Sequence, residues 1–420
     1  MTIWIRGAKM IDASSPHHLK TVDIFIDNGV IHSIGDKLDK PDADQVIAAE
    51  GLQVSPGWTD IFADYCEPGF EHKETIATGL KAAAAGGFTK VFAAPNTYPA
   101  VSTKSVVQYL IRQAEGKAVS LYPIGSVSAH LEGKALAEML DMQAHGAIAF
   151  SDGWKPVQNA NLMLKALEYV KAFDGVLLQI PSDSSLSAGG LMHEGTESTR
   201  LGMPGIPALA ETIHLYRDIE LLRYTGSRLH VTGVSAATSV AMIRQAKAEG
   251  LNISCSVTPY HLALNDTILG NYDAAYKVNP PIRSEADRLA LIEGIKDGTI
   301  DCICSHHHPQ DWDAKTKEFE YAADGMNIQE HAFAIAFEAL KDHVPLERIV
   351  AAFSSNPAGI FGLGKEIKAG AAADLTLFAT GGHFPAGTLK SKSRNNPFSD
   401  KTFSSAVIGI VHNNQVILNQ

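Results

Sequence analysis

The sequence predicts an α/β fold: a parallel (β/α)8 TIM-like barrel with a small β-sandwich domain formed by both termini. Three observations predict it. The middle of the chain repeats a unit of short apolar run, polar loop and amphipathic stretch. The two ends instead alternate apolar and polar residues around Asn-rich turns. The 420 residues also exceed what one hydrophobic core usually supports, which calls for a large unit plus a smaller one.

The elements follow in order. In "TVDIFIDNGVIHSIG", Val22, Ile24 and Ile26 share one face, Asp27-Asn28-Gly29 turns, and Val30 and Ile31 begin the return. Asn-Gly between alternating apolar runs is a strong hairpin signal. Eight apolar runs come next: "WTDIFAD", "TKVFAAPN", "VSLYPIGS", "GAIAFSD", "GVLLQIP", "RLHVTGV", "ISCSVTP" and "DCICSHHH". Near-continuous apolar strands separated by helices are what a sheet covered on both faces requires. Among them lie the amphipathic stretches "KETIATGLKAAAAGG", "NANLMLKALEYVKAF" and "ATSVAMIRQAKAEG". An open doubly wound sheet is the competing topology, but no GxGxxG follows the first strand. Residues 381–402, "GGHFPAGTLKSKSRNNPFSDKT", read as a long polar loop, and "AVIGIVHNNQVIL" repeats the hairpin design with Asn413-Asn414 at its turn. The expected division is 1–54 plus 366–420 for the sandwich and 55–365 for the barrel.

Composition narrows the function. A net charge of −11 without a basic run argues against a nucleic-acid partner, which needs clustered Lys and Arg. The opening "MTIWIRGAKM" lacks the basic start and apolar core of a signal peptide, and no apolar run is long enough for a membrane span. Four cysteines in this length do not make a disulfide framework, so a cytoplasmic location is expected.

A (β/α)8 barrel carries its site at the carboxyl ends of the strands. Here those ends supply Asp60 and Asp64, Asn96, Asp152, Gln179, Thr232, Thr258 and His306. Loops place polar residues at such positions in any case, so each has a structural reading beside the functional one.

At these residues a resemblance becomes specific. The stretch "PGWTDIFADYCEPGFEHKETIATGLKAAAAGGFTKVFAAPNTYP" resembles the opening of the dihydroorotase family, cyclic amidohydrolases of pyrimidine biosynthesis. The likeness continues through "EGTESTRLGMPGIPALAETIHLYRDIEL", "VTPYHL", "KVNPPIR" and "SSNPAGIFGLGKEIKAGAAADLTLF" and covers nearly the whole chain. It implies a metal-dependent hydrolase-like barrel with a sandwich from both termini. It also implies one or two zinc ions that activate water and polarise an amide carbonyl, an aspartate that shuttles the proton, and an arginine with asparagines that hold a carboxylate.

Carried over position by position, most of that machinery is replaced. The two first-strand histidine ligands correspond to Phe62 and Asp64, and the following arginine to Cys66. Asp152 stands where some members bridge the metals, but the next acid is Gly153. The fifth-strand histidine corresponds to Gln179. The sixth strand keeps His230, but its ligand histidine corresponds to Gly233. The proton-shuttling aspartate corresponds to His306 and the pocket histidine to Gln310, while Asn96 and Asn279 survive at substrate-binding positions.

The resemblance therefore implies a noncatalytic member, a pseudoenzyme without a cofactor. Ligandless chains of this family serve as structural partners of aspartate transcarbamoylase, and dimers are common among them, so that partner and a homodimer are expected. The competing expectation is an active dihydroorotase, or another cyclic-amide hydrolase, with an unorthodox zinc site. Asp64, Cys66, Asp152 and His306 could form one, with Cys302 and Cys304 on the same side of the last strand; otherwise both cysteines are small core residues. A Cys66 nucleophile beside His306 is a further option, needing a lowered thiol pKa. His72, His193 and His261 fit hydrogen-bonded structural roles.

Overall fold

The computed structural model describes residues 1–39, 42–364 and 366–419. Eight parallel strands follow one another around a barrel: Trp58–Ala63, Phe88–Ala93, Ser120–Gly125, Ala149–Phe150, Leu177–Gln179, Leu229–Val231, Ile253–Val257 and Cys302–Ile303. All eight coincide with the apolar runs read from the sequence. A parallel bridge from Ala63 to His307, with Asp64 N donating to His307 O at 2.8 Å, joins the last segment to the first. The three amphipathic stretches form the helices Ile76–Ala85, Ala160–Lys171 and Ala237–Ala248.

The terminal strands form one eight-stranded sheet. Its path runs 415–418, 402–412, 375–385, 52–56, 2–10, 21–27 and 30–35, with 45–47 pairing onto 2–10. Val22, Ile24 and Ile26 enter its core beside Ile3, Ile5, Leu375 and Leu377. Both hairpin turns have positive φ at their two central residues, Asn28 and Gly29 in one and Asn413 and Asn414 in the other. That backbone matches strand twist and suits Asn and Gly. The expected domain boundary at 365 falls on a residue outside those described.

Buried contacts join the sheet to the barrel. Trp58 of the first barrel strand packs on Phe378 of the terminal sheet and on Phe333 and Phe353, with ring centroids 5.5, 4.6 and 5.4 Å away. Lys90 of the second barrel strand is paired with Asp374, whose other oxygen lies 3.1 Å from His412 Nδ1.

The segment read as a long polar loop needs correction at both ends of its description. Residues 381–385 continue the strand Leu375–Pro385, with Phe384 opposite Phe403. The remainder is polar, yet Ser391, Ser393, Asn395 and Asn396 are buried. Their side chains satisfy backbone and side-chain groups of the mouth loops: Asn395 Nδ2 donates to His308 O and Gly325 O, both at 3.1 Å, and Ser391 donates to Glu74. Polar residues are retained there because buried backbone groups need partners, which composition alone does not reveal.

Candidate functional site

The centre of the barrel mouth is filled by aromatic rings. Phe62, fully buried near the end of the first strand, meets Trp154 edge-on at 5.0 Å and His306 at 4.9 Å. Trp154 also meets His306 edge-on at 5.4 Å and stacks on His308, with centroids 4.2 Å apart and planes 8° from parallel. Its indole Nε1 donates to Asp64 Oδ2 at 3.1 Å, so the largest ring has a partner for its polar edge. Trp154 was not singled out in the sequence. The available signal was one of only four tryptophans placed directly after a strand-end Asp-Gly.

Two glycines make this arrangement possible. Gly153 has φ +61°, and a Cβ there would lie 1.8 Å from Asn96 Oδ1. Asn96 uses both ends of its amide on that turn: Oδ1 accepts from Trp154 N at 3.0 Å and Nδ2 donates to Asp152 O at 3.1 Å. It thereby aims the indole. Gly233 has φ +73°, and a Cβ there would lie 2.5 Å from His306 Cε1. The His306 ring thus occupies space that a side chain at 233 would require.

The titratable groups are held by burial. His306 lies well below the ordinary histidine range, chiefly through desolvation, with its Nε2 2.7 Å from Thr232 Oγ1. Burial pushes His308 down to about 3 and His230 to about 3. His230 sits between Ser254 Oγ at 2.8 Å and Ser256 Oγ at 3.1 Å. Desolvation raises Asp64, Asp152 and Asp60, although each accepts hydrogen bonds. Asp64 Oδ1 accepts from Cys66 N at 2.8 Å. Asp152 accepts from Val127 N at 2.9 Å, Ser128 N at 2.8 Å and the Ser128 hydroxyl, which ties it to the loop after the third strand. Asp60 accepts from Ser305 N and Gln329 Nε2 behind the mouth.

The remaining singled-out residues are dispersed. Gln179 is buried, with its amide 3.5 Å from Val157 O. Gln310 Nε2 donates to Asp324 O at 2.7 Å. Thr258 caps the helix Pro259–Ala263 and bonds His261, whose Nε2 is 3.1 Å from Pro281 O. His193 contacts Arg283, and exposed His72 lies 3.4 Å from Asp311. Cys302 and Cys304 are buried in the barrel interior with Ile61, Phe62 and Phe92, the core role weighed for them. Cys66 is buried and its thiol is pushed up by desolvation, while His306 is engaged by Thr232; no activated thiol–imidazole pair results. Asp64, Cys66, Asp152 and His306 do not form a donor cluster, and among the described residues no three His, Cys, Asp or Glu side chains are gathered to hold a metal ion.

Beside the aromatic centre lies an open cleft of about 470 Å³, lined by Trp154, Lys155, Glu132, Asn159, Ser182 and Asn279 among others. Asn279 is exposed there, next to the cis bond to Pro280. Of the two asparagines Asn96 and Asn279, then, Asn96 braces a turn and Asn279 faces a cleft.

An eight-stranded parallel barrel with an added sheet of terminal strands is the amidohydrolase architecture. The fold is shared with L-hydantoinase from Arthrobacter aurescens, at TM-score 0.86 and 21% identity, covering 99% of this chain and 96% of that one. It is shared too with dihydropyrimidinase from Brevibacillus agri NCHU1002, at TM-score 0.82 and 23% identity, covering 100% and 95%. A family model described as dihydro-orotase-like matches residues 51–239. The chain is 39% identical over 414 residues to a dihydroorotase of Syntrophus aciditrophicus (strain SB), covering 97% of each. It is 41% identical over 404 residues to a dihydroorotase of Pelotomaculum thermopropionicum, covering 95% and 94%. The chain belongs to the dihydroorotase family. No helix among the described residues is long and apolar enough to cross a membrane.

Proposed function

We propose that this chain is a noncatalytic member of the dihydroorotase family, a pseudoenzyme retained as a structural partner of aspartate transcarbamoylase in pyrimidine biosynthesis. The observation that carries the reading is the aromatic filling of the mouth by Phe62, Trp154, His306 and His308. The zinc that the family resemblance implies does not fit these residues. Zinc takes nitrogen, sulfur or carboxylate donors at about 2.0–2.3 Å in tetrahedral geometry. Phe62 offers a hydrocarbon ring, Gly233 offers no side chain, and the His306 ring fills the space at 233. Asp152 is held by three donors of residues 127 and 128, and Asp64 by Cys66 N and the Trp154 indole. Water activation has no evident agent in this donor set, and a cytoplasmic scaffold role asks only for the retained exterior.

A second reading is an active dihydroorotase, or a hydrolase of another cyclic amide, with an unorthodox metal site. Dihydroorotases 39–41% identical over nearly the whole chain and the open cleft at Asn279 favour it. One experiment separates the two. The purified protein is exposed to excess zinc, desalted exhaustively and analysed for metal, then assayed for dihydroorotate turnover and for complex formation with aspartate transcarbamoylase by sedimentation. The scaffold reading expects less than about a tenth of an equivalent of zinc, no turnover and a co-sedimenting complex. Stoichiometric zinc with turnover would replace it by the second reading; an absent complex would remove the partner.

A further inference from the structure

We infer that the cavity between the helix Ala332–Leu340 and the strand Thr402–His412 is a binding site for a small, uncharged aromatic amide. It has a volume of about 310 Å³ and shares no lining residue with the cleft beside Trp154. Small side chains on four separate segments leave the space. They are Ala85 at the end of the helix Ile76–Ala85, Ala334 on the helix Ala332–Leu340, Ala386 after the strand Leu375–Pro385, and Ala406 on the strand Thr402–His412. Phe384 and Phe403, opposite each other in the terminal sheet, give the cavity aromatic walls. Interiors otherwise pack about as densely as organic crystals, and ligand cavities begin at about 300 Å³.

Three polar side chains on these walls keep hydrogen-bonding capacity unused. Ser405 is 1% exposed, and its hydroxyl has no partner among the described residues, where buried polar atoms are almost always paired. His331 is 8% exposed, and its tautomer is set from behind. Asn396 Oδ1 accepts from Phe398 N at 2.9 Å, which leaves Asn396 Nδ2 to face His331 Nδ1 at 3.1 Å. An amide nitrogen only donates, so Nδ1 is the acceptor. Burial pushes His331 down to about 4, so the neutral ring carries its proton on Nε2. No acceptor for that N–H stands among the described residues. Asn419 spends Nδ2 on Ala85 O at 2.8 Å and Val407 O at 2.9 Å, and its Oδ1 is unengaged among the described residues.

That set selects the ligand. It consists of one donor, one acceptor and a hydroxyl of either sense, beside aromatic and small apolar walls. A primary amide on a ring is its complement: the carbonyl takes the His331 N–H, and the NH2 serves Asn419 Oδ1 or Ser405 Oγ. Charge excludes the corresponding acid. Glu330 stands on the same wall, its carboxylate held by Lys390 N and Ser391 N, and repels an anion. The Lys390 ammonium is exposed, so solvent and salt screen its attraction. An ammonium ligand would instead set a charge beside the His331 donor. The uncharged amide meets neither cost.

A ligand-observed NMR titration of the full chain at pH 7, with benzamide and benzoate as probes, tests the inference. Benzamide is expected to bind with a Kd of about 1 mM or tighter, and benzoate at least about 10-fold more weakly. Ala334→Leu and Ala386→Leu add side-chain volume inside the cavity and each weaken benzamide at least about 10-fold, with a retained circular dichroism spectrum. Ser405→Ala, which removes an oxygen and adds nothing, weakens it about 3- to 10-fold and supplies the reading where a leucine disturbs the fold. No benzamide binding by the wild type would overturn the inference. So would binding that Ala334→Leu, Ala386→Leu and Ser405→Ala all leave unchanged, since the probe would then sit elsewhere. Benzoate bound as tightly as benzamide would overturn the uncharged class.

Discussion

Trp154 and His308 lie face to face, 4.2 Å between ring centroids and 8° from parallel, over the carboxyl end of the barrel. The two residues come from the fourth and eighth strand ends, so their contact closes the mouth across its diameter. Phe62 and His306 meet the edges of the indole, so aromatic rings pack together at the centre of the barrel mouth.

Removing the indole tests how much the closure contributes to stability. Trp154→Ala deletes a half-buried ring and leaves Asp64 Oδ2 without its donor. A fully buried aromatic costs about 3–5 kcal/mol on truncation, so about 2–3 kcal/mol is expected here. Urea unfolding of wild type and variant measures it, and an unchanged midpoint would show that the stack holds nothing together.

The clash predicted at Gly233 offers a double-mutant cycle. Gly233→Ala places a Cβ 2.5 Å from His306 Cε1 and forces φ +73° on an L residue. The backbone strain alone is about 1–2 kcal/mol, and the clash raises the loss to about 3. His306→Ala should relieve only the clash, giving a coupling of about 1–2 kcal/mol. Strict additivity would contradict the packing described.

Asn96 should matter through Trp154. Asn96→Ala removes its bonds to Trp154 N and Asp152 O, leaving two strand-end backbone groups without their partner. A loss of about 1–3 kcal/mol is expected. Tryptophan fluorescence should shift to the red and quench more readily with acrylamide, and the shift should vanish in the Trp154→Phe background. A spectral change that persists there would assign the effect to another tryptophan.

Acid should destabilise the protein through its buried histidines. His308 and His230 titrate near 3 and His261 near 4, below the ordinary 6.5, because burial disfavours the charged ring. Between the two values the unfolded chain binds a proton that the fold excludes. Their stability contribution is therefore present above pH 6.5 and falls as pH drops toward 3–4, by up to about 1.4 kcal/mol per pH unit for each group. Buried Asp64 and Asp152 have raised values and act in the opposite sense, losing stability as pH rises through them. A comparison of variants cancels that background: His308→Gln should unfold with a shallower pH slope than wild type between pH 6.5 and 4. Equal slopes would mean that His308 is charged in the fold.

The sequence by itself determined the barrel strands, the two hairpins and the amphipathic helices. These are local patterns, with period two in a strand and near 3.6 in a helix, and positive φ at Asn28-Gly29 and Asn413-Asn414 is a property of a few adjacent residues. The residues Phe62, Gln179 and Gly233 were legible for the same reason: each stands inside a short strand-end motif. Only the tertiary structure decided what fills the mouth of the barrel. Phe62, Trp154, His306 and His308 are separated by up to 246 positions, and nothing near Trp154 in the chain says that its ring will meet His308. The same holds for residues 386–401, whose polar composition suggested a solvated loop until Asn395 and Ser391 were found buried against His308 and Glu74. Contacts of that kind depend on which strand ends a closed barrel brings together. Closure satisfies all strands at once, so the contents of the mouth are written in no single segment.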